Sequence, residues 1–167
     1  MNGAALAADA FGRVHEVVHQ VVEGLDEEQL AFRPTPDANS IAWLVWHLTR
    51  IEDDHVAALA GAHQRWLDDG WNERFALPLP AHDTGFGNTS EEVGSVRAPA
   101  DLLLGYHDAV HAATLTWLEG VGDADWDRIV DRSWDPPVTA GVRLVSVIAD
   151  TLQHAGQAAY VRGTLLG

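Results

Sequence analysis

The chain has no cysteine, no lysine, little positive charge of any kind and no long apolar run. Without cysteine there is no disulfide framework, no redox-active thiol and no thiolate ligand, so a bound metal must be held by histidine or carboxylate. The ten basic residues, all arginine, face 25 acidic ones, for a formal charge of −15 at pH 7. That balance opposes binding to a phosphate backbone, where affinity comes from neutralising phosphates, so no nucleic-acid partner is expected. Arginine without lysine, beside abundant alanine and glycine, points to a genome rich in G and C. No apolar run approaches the roughly 20 residues of a membrane span. The N-terminal stretch has no basic segment followed by an apolar one, and Asp9 stands where a secretory signal would be apolar, so the expected location is the cytoplasm.

What is present reads as one all-α domain, residues 1 to 167, with enough chain to bury a sizeable core. Four stretches carry helical periodicity. In the first, residues 3 to 24, Ala7, Phe11, Val14, Val18 and Val21 recur at threes and fours, and Gly24 is a stop signal. Pro34 and Pro36 make the next segment a loop, and Asn39 or Ser40 can cap a second helix over 40 to 60, with Leu44, Leu48 and Ile51 on one face, His47 beside them and Gly61 ending it.

Residues 61 to 98 lack a sustained period and read as a long connection with one short helix near 63 to 69. Pro99 suits the first turn of a third helix running to Glu119, with Leu103, Tyr106, Val110, Ala113 and Trp117 inward. After a second connection with a short strand at 128 to 133, Thr139 caps a last helix to Leu165, with Val142, Val145, Ala149 and Leu152 inward. The expected architecture is a four-helix bundle with long connections. Trp66 and Trp71 fit either a homodimer contact or a loop packed over the end of its own bundle, leaving monomer and homodimer both open.

Asp150 and His154 lie one helical turn apart on one face of the last helix. Bundle proteins assemble metal sites from side chains pointing inward on facing helices, and His47 on the second helix is the matching partner. Two imidazoles and a carboxylate leave a coordination position open for water or substrate. The competing reading puts Asp150 at the surface and makes His154 a satisfied core histidine. Two rival pairs have the same spacing, His15 with His19 and His107 with His111. His19, followed by Gln20 and Glu23, reads as part of a solvated stripe; His107 and His111 read as flank or surface positions, with His107 and His15 kept as pocket candidates.

The tract NSIAWLVWHLTRIEDDH resembles the second-helix signature of the DinB-like superfamily, and DTLQHAGQAAYVRG resembles its last-helix signature, in which a ligand precedes H-x-G-Q by four residues. The two motifs and the helical pattern between them cover nearly the whole chain. The resemblance implies an up-down-down-up bundle with a divalent metal near one end, held by His47, Asp150 and His154; zinc fits first, with nickel or iron as alternatives. Asp150 departs from the commoner all-histidine pattern and is similar to the mycothiol-dependent maleylpyruvate isomerase branch.

The implied activity is a thiol transferase or isomerase in which the metal activates a low-molecular-weight thiol, mycothiol before bacillithiol, for attack on a small electrophile. The chain itself supplies no thiol, in keeping with its lack of cysteine. Arg162, Gln157 and Tyr106 are candidate contacts to thiol or substrate, Gln157 by orienting a ligand. Trp43 and Trp46 are candidate pocket walls. Two other readings stand beside this one: a non-catalytic ligand-binding or stress-response bundle that has lost its metal, and an iron oxygenase built on two histidines and a carboxylate.

Overall fold

The computed structural model describes all 167 residues. Four long helices dominate: α1 (Gly3–Val22), α3 (Ile41–Ala60), α7 (Ala100–Glu119) and α8 (Ala140–Leu166). Short helices α2 (Glu27–Leu30), α4 (Arg65–Asp68), α5 (Trp71–Phe75) and α6 (Ser90–Ser95) sit in the connections. A 3-10 turn (Asp123–Asp127) leads into an antiparallel pair, β1 (Ile129–Asp131) with β2 (Val138–Thr139). The caps explain the long boundaries. Ser40 accepts from the Trp43 amide at the start of α3 and Thr139 from the Val142 amide at the start of α8, while Gly61 closes α3 in the left-handed conformation that only glycine adopts cheaply. Pro99 sits at the cap of α7, one position before the first turn.

Helices α1 and α3 each pack on both α7 and α8 and lie across the diagonal from each other. Directions follow from contacts between ends. Arg162 near the end of α8 reaches Val21 and Glu23 at the end of α1, so these two helices run parallel. Thr49 and Glu52 of α3 bond His107 and Thr114 of α7 in increasing order, again parallel. His55 late in α3 approaches Arg143 early in α8, so that pair is antiparallel. The order is up, down, down, up, and the edges α3–α8 and α1–α7 are opposite sides of the bundle.

The inward face of α8 differs from the expected one. Val142, Val145 and Leu152 are exposed, and the buried row is Leu144, Val147, Thr151, Ala155, Ala158 and Val161. Small residues in that row let neighbouring helices approach closely, whereas the apolar Val142 faces a surface cleft. On α7 the lower core positions are Thr114 and Leu118 in place of Ala113 and Trp117.

The long connection is ordered by α3. Buried Asp53 accepts from the amides of Arg65 and Trp66 at 2.8 Å each, capping α4, and its Oδ2 also accepts from the Tyr106 hydroxyl at 2.8 Å. Arg50, wholly buried, donates to the Asp83 carbonyl and to Gln64. Trp66 is therefore core, only 2% exposed, with its ring packed on Phe75 and Tyr106. The connection packs over its own bundle, which leaves Trp66 unavailable to a dimer contact. No helix is long and apolar enough to cross a membrane.

Candidate metal centre

His47, Asp150 and His154 converge on the α3–α8 edge, with one ligand atom from each lying within 4.8 Å of the others. The Nε2 atoms of His47 and His154 stand 3.8 and 3.5 Å from opposite oxygens of Asp150. Each ring is aimed by its other nitrogen. His47 Nδ1 donates to the Thr84 carbonyl at 2.5 Å, and His154 Nδ1 donates to Gln157 Oε1 at 2.9 Å. Those two bonds leave both Nε2 atoms as lone pairs facing the carboxylate, the tautomer that a metal requires. Asp150 Oδ2 is buried and meets no hydrogen-bond donor. Two free lone pairs and an unpartnered carboxylate oxygen make a donor set that fits a divalent cation.

The electrostatics favour the neutral ring at His47 and the charged one at His154. Burial pushes the His47 pKa down, keeping the ring neutral. Burial works against the Asp150 carboxylate, but His154, His47 and His55 together hold its pKa below the usual range. Asp150 in turn raises the pKa of His154.

Residues 83 to 88 of the long connection, which carries no sustained period in the sequence, support this site. Trp43 stacks on His47 at 4.6 Å and donates through Nε1 to Asn88 Oδ1 at 3.0 Å. Asp83 Oδ1 accepts from the Gly85 amide, and Asn88 Nδ2 donates to Asp83 Oδ2, so residues 83 to 88 form a bonded turn against α3. Gly85 has φ +88°, and a Cβ there would stand 2.8 Å from His47 Nδ1 and 3.0 Å from Trp46. Only glycine lets the Thr84 carbonyl approach the imidazole this closely. The one sign in the sequence was a glycine pair, Gly85 and Gly87, inside a long connection.

Beside the triad opens a cleft of about 550 Å3, with Asp150 on its wall together with His55, Phe86, Trp134, Arg143 and Ser146. Arg143 pairs with Asp131 at 3.0 Å. Phe86 and Trp134 are exposed at the rim.

Two of the expected contact residues lie elsewhere. Tyr106 is fully buried among Trp66, Trp71 and Phe75, where it bonds Asp53. Arg162 is two turns beyond His154, roughly 12 Å along the helix axis, and its Nη1 caps the last carbonyls of α1 at 3.0 and 3.1 Å. Gln157 lies against the His154 ring. Trp43 walls the site, whereas Trp46 turns into the core against Trp66. His107, expected on a flank, is fully buried with Nδ1 at Thr49 Oγ1.

No curated protein matches the chain. Among solved structures, a conserved protein from Enterococcus faecalis is 34% identical, with a TM-score of 0.93, covering 100% of this chain and 99% of its own. The family model described as mycothiol-S-transferase matches residues 8–167. With its up-down-down-up bundle and its two helix motifs, the chain belongs to this DinB-like family, the mycothiol-S-transferases.

Proposed function

We propose that the chain is a metal-dependent thiol S-transferase that joins mycothiol to a small electrophilic substrate, with His47, Asp150 and His154 holding a divalent ion, zinc before nickel or iron. The observation that carries this reading is the pair of aimed Nε2 lone pairs around an unpartnered Asp150 oxygen, opening onto a cleft. A divalent ion held there supplies the positive charge that lets a thiol ionise near neutral pH and become a nucleophile.

The chain's own residues do the rest. Thr84 and Gln157 fix the two imidazoles, Asp150 adds the negative charge that favours a cation, and Trp43 shields one face of His47 from water. With no cysteine in the chain, the sulfur nucleophile comes from the cosubstrate. The cleft supplies both apolar and charged walls, Phe86 and Trp134 for an electrophile's carbon skeleton and Arg143 with His55 for polar groups. Such a protein acts on small molecules in the cytoplasm.

The test combines metal content with turnover. Protein purified without a polyhistidine tag is expected to carry a transition metal at the triad that His47→Ala and Asp150→Ala each abolish, and to consume an electrophile such as a chlorinated aromatic or maleylpyruvate only when mycothiol is added. Metal retained at this site in either variant, or no turnover with any low-molecular-weight thiol, overturns the reading.

A further inference from the structure

A second cluster of ligand-type side chains occupies the opposite edge of the bundle. His15 and His19 of α1 approach Asp108 of α7, their Nε2 atoms 2.9 and 2.7 Å from the same oxygen, Oδ1. One ligand atom from each of the three lies within 4.8 Å of the others. The orienting device of the α3–α8 edge recurs here: Glu23, one turn after His19, sits 3.1 Å from His19 Nδ1 and turns Nε2 toward Asp108.

Two more imidazoles back this group. His111 stacks on His15 at 4.4 Å and His107 at 5.5 Å. The Thr49 hydroxyl donates to the Val45 carbonyl, so His107 Nδ1 must donate to Thr49 Oγ1, and His107 Nε2 is left as a lone pair. That nitrogen belongs to a residue with no exposure and has no partner; His111 Nδ1 is also buried without one. Four histidines in one helix contact, two with orphaned ring nitrogens, make a poor hydrophobic seam. These two nitrogens lie behind the His15, His19 and Asp108 group, whose own ligand atoms are the ones that converge.

We propose that His15, His19 and Asp108 bind a second divalent transition ion that ties α1 to α7. Imidazole-rich donors with one carboxylate and no sulfur select zinc, nickel, cobalt or copper(II) over magnesium or calcium. His15 and His19 are part-exposed and Asp108 more so, which gives an ion direct access from solvent. This site is independent of the thiol-transfer reading, since it shares no residue with the triad.

The experiment is equilibrium dialysis of chelator-stripped, tag-free protein against zinc chloride, followed by elemental analysis, with circular dichroism to confirm folding. Wild type is expected to take up about two ions per chain, and His19→Gln, His15→Gln and His154→Ala about one each. Cobalt(II) absorption gives a second readout of the ligand field at each site. One ion in wild type that disappears in His154→Ala, or two ions still bound in both His15→Gln and His19→Gln, overturns the proposal. A lone ion that survives His154→Ala and is lost in His19→Gln upholds it while removing the triad assigned to thiol transfer.

Discussion

The two histidine clusters are built from the same donor types and differ in what surrounds them. On the α3–α8 edge the imidazoles are aimed by neutral acceptors, a carbonyl and an amide, and Asp150 stands back 3.5 to 3.8 Å from both. On the α1–α7 edge Glu23 replaces the neutral acceptor and Asp108 has closed to 2.7 and 2.9 Å. Under the two metal proposals, an ion entering the first site meets open lone pairs, whereas one entering the second must displace hydrogen bonds. The difference teaches that the groups supporting a cluster set how open its donors stand.

The comparison is broken most severely at the anchor of the long connection. Asp53→Ala removes the acceptor for Arg65, Trp66 and Tyr106 and leaves Arg50 buried without its carboxylate. A loss of about 3–5 kcal/mol in denaturant unfolding is expected, with metal uptake failing at the triad in the folded fraction and persisting on the α1–α7 edge. Loss at both edges alike would show that the loop is not what distinguishes them.

Glu52, in the α3–α7 contact and part of neither cluster, tests pH. Its carboxyl is buried, and burial raises its pKa from 4.5 to about 7. The folded state holds this proton more tightly than the unfolded chain, so the contribution is complete below pH 4.5 and is lost as pH rises to about 7. Glu52→Gln should flatten that fall, leaving the variant more stable than wild type above neutrality by about 3 kcal/mol. Urea titrations at pH 4.5 and 8 measure the difference; equal slopes in both proteins would contradict it.

Gly85→Ala sharpens the comparison. The added Cβ collides with His47 Nδ1, and alanine resists the positive φ, so triad metal affinity should fall about 10- to 100-fold with the other edge unchanged. Smaller still is the exchange of orienting groups. Gln157→Ala frees the His154 ring and should weaken the triad by about tenfold, while Glu23→Gln should change only the α1–α7 edge, by a smaller factor. Isothermal titration with zinc separates the two.

The sequence disclosed the long helices well because Ser40, Thr139 and Gly61 act through local bonds. Spacing and motif singled out His47, Asp150 and His154, which the fold brings together, since residues four apart share a face whatever the packing. The sequence misread the core face of α8, because Ala155, Ala158 and Thr151 pack by being small and carry no strong hydrophobic signal, while exposed Val142 and Val145 do. It placed His107 on a flank, because burial there depends on Thr49, which is 58 residues away. The connection from 61 to 98 showed no period because its order comes from Asp53, Arg50 and Trp43 on another element, and those bonds leave no trace in local sequence.

The short turn at residues 83 to 88 has two tasks at once. Its Thr84 carbonyl holds the His47 ring, and two residues later Phe86 borders the cleft. Under the proposed function, selectivity and metal affinity are therefore not separately adjustable along this stretch. An evolutionary or engineered change of substrate made there will register as a change in how firmly the ion is kept, and screens for new substrates at these positions will recover, in part, variants selected for ion retention.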